Sequence, residues 1–162
     1  MGLVTQKCLP LNLVPLTITK QRKLQETYDT VKELAQASFS TETHSHSDAF
    51  QQFYHAFRKK YGISGQLIVS AIRYGYIAKN NADQIGDILI HFDHNISTFR
   101  ETNRGNPVVT VRTNHERIGL PIRQDGAYHR LLSHMADGWA VGSVLMKRDR
   151  AFLVYLSKDL PN

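Results

Sequence analysis

The side chains of this chain best suited to chemistry are cations that recur at short spacing. A first group consists of Arg58, Lys59, Lys60, Arg73 and Lys79, with Tyr74 and Tyr76 interleaved. A second group consists of Arg100, Arg104, Arg112, Arg117, Arg123, Arg130, Lys147, Arg148 and Arg150. A guanidinium can hold a phosphate through two parallel N–H donors, and aromatic rings between cations can stack on bases. The pattern therefore predicts a surface that binds nucleic acid.

The overall composition agrees with that prediction and excludes other classes of protein. The chain has 20 Lys and Arg against 14 Asp and Glu, and its net charge of +6 attracts polyanions. A hydrophobic content of 41% can support a core. The sequence contains no run of about 18 apolar residues, so no membrane span is expected. Cys8 is the only cysteine, which excludes an internal disulfide. We therefore expect a cytoplasmic protein without a secretory signal.

Catalytic and metal-binding patterns are weak in this sequence. Five acids crowd one region: Asp83, Asp87, Asp93, Glu101 and Glu116. Their spacing does not fix two of them on one metal. His44 and His46 lack the helical spacing of four that suits one ion, and the sequence has neither a Gly-x-Ser-x-Gly elbow nor a Gly-rich phosphate loop. We expect no enzymatic activity, metal or cofactor, and a small metal-dependent enzyme that uses the acids is the less favoured alternative.

The elements that must position the first group of cations are helices. A strand is expected within residues 3–14, ended by Pro10 near Leu9 or lying at a sheet edge. Thr17 or Thr19 then caps a helix over about 20–37, with Leu24, Tyr28, Val31, Leu34 and Ala35 on one face. After a polar loop over 38–47, a second helix ends at Gly62, and Ser64 caps a third that runs to about Asn80.

Strands dominate the second half of the chain. They are expected at residues 88–92, 108–111 and 118–122, followed by a short helix over 127–136. A hairpin then joins 138–146 to 151–156 through the charged turn 147–150. This order predicts an α+β fold: a small antiparallel β-barrel of the oligonucleotide-binding kind, formed by residues 1–16 and 86–162, with residues 17–85 inserted as a three-helix domain.

The stretch from Phe53 to Leu67, FYHAFRKKYGISGQL, resembles the helical insert of the OrfB/TnpB proteins of insertion sequences. These are transposon-encoded, RNA-guided nucleases related to type V CRISPR effectors. The resemblance extends to residues 99–100, 108–113, 116–121, 138–147 and 152–156. It implies a wedge barrel that holds the scaffold of a guide RNA, interrupted by a helical recognition domain. Wedge and recognition domain together would read a short motif in duplex DNA.

The resemblance also implies which residues face that DNA motif. In the family the start of the third helix does so, and the matching positions are Ser64, Gly65, Gln66, Ser70 and Arg73. A Gln can pair with an adenine edge, and an Arg with a guanine edge or a phosphate. The expected binding set consists of these five residues together with Arg58, Lys59, Lys60, Tyr76, Lys79, Arg112, Arg117, Lys147, Arg148 and Arg150.

This sequence departs from the family in one large respect. The family's RuvC-like catalytic domain, with its metal-binding acids and zinc element, is expected after Pro161 and is absent. We therefore expect a binding module without catalysis, whose further partner would be the missing nuclease domain or a full-length relative. The main alternative is a protein-interaction or regulatory module derived from a transposase, which would expose an apolar patch around Trp139.

Overall fold

Long helices follow the first strand, and apolar side chains at spacings of three and four pack them together. The computed structural model describes residues 4–40, 46–81, 86–114 and 116–159. Strand β1 spans Val4–Leu11, and helices α1, α2 and α3 span Ile18–Ser40, His46–Tyr61 and Gly65–Asn81. The Thr17 hydroxyl accepts a hydrogen bond from the Lys20 amide at 3.2 Å and caps α1. All five residues of the expected α1 stripe are buried, which confirms that face of the helix.

Helix α1 is longer than the sequence predicts. Residues 38–40, expected in a loop, form its last turn, and residues 41–45, with His44, lie outside the described residues. Ser38 is helical because it is buried against α3, where its hydroxyl donates to the Ile72 carbonyl at 2.8 Å. The two helices approach closely at Gly75, where an added Cβ would collide with the Ala35 carbonyl. Such a contact satisfies a serine that would otherwise favour a loop.

Six further strands and one further helix complete the described part of the chain. Beyond β1 they are β2 Ile90–Phe92, β3 Ser97–Glu101, β4 Pro107–Arg112, β5 Arg117–Pro121, α4 Gly126–Ala136, β6 Ala140–Met146 and β7 Phe152–Asp159. The predicted short helix and charged hairpin are confirmed, whereas β3 was not predicted from periodicity. β1 is an edge strand and continues through Pro10, whose missing N–H an edge position tolerates.

The strands form two antiparallel sheets, which confirms the α+β class and corrects the expectation of one closed barrel. One sheet has the order β1-β7-β6-β2 and the other β3-β4-β5. Within the described residues the sheets join by a single bridge, between Leu13 and Ile122, beside a hydrogen bond from the Val14 amide to the Pro121 carbonyl at 2.9 Å. Pro121 has no N–H with which to extend that ladder, so closure stops there.

The Leu13–Ile122 bridge is one junction of the two sheets, and a turn between β2 and β3 is another. The Ile96 amide donates to the Asp93 carbonyl at 3.0 Å, and this turn carries the chain from β2 in one sheet to β3 in the other. β2 pairs with β6 only from Val144 to Met146, and the register of β6 shifts between Val141 and Val144. A gap therefore lies between β3 and the first half of β6.

One hydrophobic core joins the helices to both sheets. It includes Leu34 of α1, Ile72 of α3, Val109 of β4 and Val154 of β7, all fully buried. Tyr28 ties α1 to the strand region, because its hydroxyl accepts a hydrogen bond from the backbone amide of Ile88 at 3.0 Å. Burial raises the pKa of Tyr28, so the hydroxyl stays neutral there. Of the described helices, none combines the length and apolar character needed to cross a membrane.

Candidate nucleic-acid interface

A pocket that we call the arginine pocket lies where α3 begins. Its volume is about 290 Å³, and it is lined by Arg58, Ser64, Gly65, Asn95, Ile96, Arg112 and Arg117. Five of these seven residues were predicted as binding residues from the sequence. They come from the end of α2, the start of α3, the β2–β3 turn and the β4–β5 hairpin. The fold thus brings three arginines from distant segments to one cavity.

The local backbone brings Arg58 to the start of α3. Arg58 lies in the last turn of α2, and Gly62 then reverses the chain with a φ of 63°, a conformation that favours glycine. The hydroxyl of Ser64 accepts from the Gln66 amide at 3.3 Å at the beginning of α3. Any Cβ on Gly65 would collide with the Tyr54 hydroxyl and the Arg58 guanidinium, so glycine allows the arginine to lie directly over the helix start.

The electrostatics of the arginine pocket are unbalanced. Arg112 and Arg117 are direct partners across the β4–β5 ladder, where like charges destabilise a sheet. Among the described residues, no carboxylate pairs with Arg58, Arg112 or Arg117, and none of the lining residues is acidic. The N-terminus of α3 adds a further partial positive charge. An anion bound there would remove this repulsion.

Arg117 and Arg112 differ in their hydrogen bonding within the arginine pocket. Arg117 donates from Nη1 to the Thr98 hydroxyl at 3.2 Å and from Nη2 to the Asn95 carbonyl at 2.5 Å, which fixes its guanidinium. The Nε of Arg112 is buried and has no hydrogen-bond partner within the described part of the chain. A buried donor without a partner costs free energy, so the free protein holds Arg112 at this position at a cost in stability.

A second cavity, which we call the polar pocket, lies further along α3. It has a volume of about 310 Å³ and is lined by Gln66, Val69, Ser70, Arg73, His91, Asp93 and Ser143. Gln66, Ser70 and Arg73 share one helical face because they are spaced by four and three. Asp93, opposite them, is an acceptor. The polar pocket therefore offers both donors and acceptors, which is what reading a base edge requires.

His91 lines the polar pocket, and its pKa is lowered from the usual value. Burial lowers the pKa of His91, and the nearby Arg73 lowers it further, while Asp93 acts in the opposite direction. The neutral form is therefore favoured near neutral pH, and an approaching phosphate would favour the cation instead.

The structure places the other predicted residues outside the two pockets. Lys59 and Lys60 are exposed at the end of α2, and Lys60 lies 5.0 Å from the centroid of the Tyr61 ring. Tyr76 and Lys79 are half-buried further along α3. These residues flank the pockets along the helices without lining them.

The basic hairpin tip forms a separate place on the protein. Lys147 and Arg148 line a cavity of about 430 Å³ with Asp87, and Arg148 lies 3.4 Å from the Asp87 carboxylate. Arg150 has a φ of 65° and donates to the Gln25 side chain at 3.1 Å. Arg148 of the tip thus lies beside a carboxylate, whereas within the described residues no carboxylate pairs with the three arginines of the arginine pocket.

The sequence did not predict Asn95 and Ile96 as lining residues of the arginine pocket, nor Val69, His91, Asp93 and Ser143 as lining residues of the polar pocket. A signal for the turn was present, because Asp93 and Asn95 are turn-forming residues and the Asn95 amide donates to the Asp93 carboxylate at 2.9 Å. The facing of Arg112 and Arg117 was also predictable in principle, from a tight hairpin between two strands.

The acids considered for a metal site are dispersed. In the described ranges, no three His, Cys, Asp or Glu side chains come together in a way that could hold a metal ion. Asp87 lies near Lys32 and Arg148, and Glu116 pairs with Lys23. Asp83 lies outside the described residues.

No protein-family model matches the chain, and no curated protein matches its sequence.

Proposed function

We propose that this chain is a non-catalytic nucleic-acid-binding module that holds structured RNA and duplex DNA. The observation that carries the proposal is the arginine pocket: three guanidinium groups and a helix N-terminus around one cavity, with no acid among its lining residues. The like charges of this arrangement repel one another, and a bound anion would offset that repulsion. A backbone phosphate supplies that anion.

The polar pocket makes nucleic acid a better ligand than an isolated anion. Phosphate contacts hold a nucleic acid in register, whereas contacts to base edges give sequence preference. Arg58 and Arg117 would provide the first kind of contact, and Gln66 and Arg73 the second. The start of α3 contributes to both pockets, Gly65 to one and Gln66 to the other, so one bound strand can meet them together.

The same surface supports the more specific role implied by the OrfB/TnpB resemblance. Ser64 and Gly65 line the arginine pocket, and Gln66, Ser70 and Arg73 line the polar pocket. In our proposal these positions face the target-adjacent DNA, and the two sheets act as the wedge that holds the guide-RNA scaffold. The chain is then the N-terminal module of a transposon-associated RNA-guided nuclease.

Salt-dependent binding tests this function. Affinity for a structured RNA and for a DNA duplex should fall steeply with salt, and Arg58→Gln or Arg117→Gln should each lower the log–log salt slope by about 0.7–0.9. Arg104→Gln is the matched control, because it removes the same charge from an exposed residue of the β3–β4 turn. Binding that ignores salt, or equal effects of all three variants, would contradict the proposal.

A further inference from the structure

The gap between the two sheets contains a cavity of about 400 Å³ that we call the seam pocket. Phe99, Met135, Trp139 and Val141 contribute its apolar surface, and Thr98 and His94 contribute polar groups. Three consecutive residues of β3, at 97–99, line it. Successive side chains of a strand point to opposite faces, so this cavity runs along the edge of β3, where the barrel does not close.

Trp139 is held in a fixed orientation beside the seam pocket. Its amide donates to the His134 carbonyl at 3.0 Å, and its ring meets the His134 ring edge to face at 5.9 Å. His134 Nδ1 lies 2.8 Å from the Arg130 carbonyl and must donate to it, which leaves Nε2 to accept from Lys7 at 3.0 Å. Lys7 in turn lies 4.9 Å over the indole ring. A preorganised aromatic ring loses little entropy when a ligand stacks on it.

The seam pocket adjoins the arginine pocket. Thr98 lines the seam pocket, and its hydroxyl accepts the hydrogen bond from Arg117, which lines the arginine pocket. The β2–β3 turn also contributes to both cavities, His94 to one and Asn95 to the other. A phosphate site and an aromatic, mostly apolar site thus lie on either side of one threonine.

We propose that the seam pocket holds a single unpaired nucleobase of the nucleic acid whose phosphate occupies the arginine pocket. The inference rests on the proposed function and narrows the ligand to nucleic acid with an extruded base. A planar base can stack on Trp139 or Phe99, whereas a paired base is held within its own helix. A cavity flanked by Lys7, His94 and Arg117 suits a polyanionic ligand better than an apolar protein segment.

Trp139 is the only tryptophan in the chain, so its fluorescence reports directly on the seam pocket. The probes are an RNA hairpin with one unpaired adenine in its stem and the same hairpin with that adenine paired. Affinity is followed by anisotropy of the end-labelled RNA and stacking by quenching of Trp139. We expect the bulged hairpin to bind tighter by on the order of tenfold and to quench Trp139.

Two variants that keep Trp139 sharpen the test. Phe99→Leu preserves an apolar side chain but removes the ring, and it should abolish most of the preference for the bulge while leaving affinity for the paired hairpin unchanged. Met135→Ala replaces this test if Phe99→Leu does not fold, because Met135 is 38% exposed and therefore tolerant of change. It should weaken the preference for the bulge. Leu132→Ala, on the same helix outside the cavity, is the control and should keep the full preference.

The outcomes separate this inference from the proposed function. Equal affinity for both hairpins with unquenched Trp139, while binding stays salt-dependent, overturns the base site and leaves the proposed function intact. Binding of neither hairpin at low salt overturns the proposed function and this inference together. A Trp139 signal that follows protein concentration rather than RNA assigns the seam to a second copy of the chain and overturns the inference as well.

Discussion

Arg112→Met should make the free protein more stable and its nucleic-acid binding weaker. Methionine keeps an unbranched stem of similar length but removes the charge and the buried, unpartnered Nε. Relief of an unsatisfied buried donor is worth about 1–3 kcal/mol. Relief of the repulsion from Arg117 across the ladder adds about 0.2–1 kcal/mol. Because Arg112 is only half-buried, we expect a gain of about 1–2 kcal/mol in the free energy of unfolding.

Two measurements on the same variant check both halves of this prediction. In a chain of this size about 1 kcal/mol corresponds to roughly 2–4 °C, so the midpoint of thermal unfolding should rise by roughly 2–8 °C. The log–log salt slope for RNA binding should fall by about 0.7–0.9, as expected for the loss of one phosphate contact. The two effects have opposite signs because the charge that repels its neighbours is the charge that binds the ligand.

Arg104→Met is the control for this experiment. Arg104 lies in the exposed β3–β4 turn, so its replacement changes the net charge by the same amount without touching the arginine pocket. It should leave the unfolding midpoint and the salt slope nearly unchanged. If Arg112→Met lowers the unfolding midpoint, or if it leaves the salt slope as it is in the unaltered protein, Arg112 is a structural residue and the reasoning is wrong.

Three further predictions follow from the contacts described. Gly65→Ala should lower RNA affinity about tenfold, because its methyl group forces the Tyr54 hydroxyl and the Arg58 guanidinium to move, whereas Gly126→Ala, with open space around it, should not; both are read by binding titration. Gly75→Ala should destabilise the fold by about 3 kcal/mol in urea denaturation, because its Cβ meets the rigid Ala35 carbonyl, and a loss near zero would contradict the close helix crossing. Because the folded-state pKa of His91 lies below its usual value, stability should fall as pH drops below about 6.5, and His91→Gln should flatten that dependence in denaturation at a series of pH values.

The regular elements were predictable where one local pattern decides them. The α1 stripe, the α4 helix and the β6–β7 hairpin all follow from periodicity and turn chemistry, and the structure confirms each. β3 was not predictable from periodicity because its sequence, STFRE, is mostly exposed and shows no clean alternation of apolar and polar residues. The last turn of α1 was not predictable from local sequence because the burial of Ser38 depends on α3, more than thirty residues away.

Sheet closure and site geometry depend on long-range pairing, which single-sequence patterns do not encode. β1 pairs with β7, so Val4 lies opposite Asp159 at the other end of the chain. The types of the binding residues were predictable from charge, but their grouping was not. Arg58 and Arg112 meet across more than fifty residues, whereas Arg148 of the hairpin tip lies against Asp87. Tertiary structure decides which cations lie beside an acid and which do not.

The incomplete barrel is what makes the proposed surface possible. The β2–β3 turn exists because the chain leaves one sheet for the other, and the Ser97 hydroxyl fixes it by donating to the Phe92 and Asp93 carbonyls at 2.9 and 2.8 Å. That turn supplies Asp93 to the polar pocket, His94 to the seam pocket and Asn95 to the arginine pocket. Had β2 and β3 run on as one strand of a closed barrel, their edges would be consumed by ladder hydrogen bonds. The three cavities would then lose the turn that they share, so the proposed binding surface depends on the interruption of the sheet.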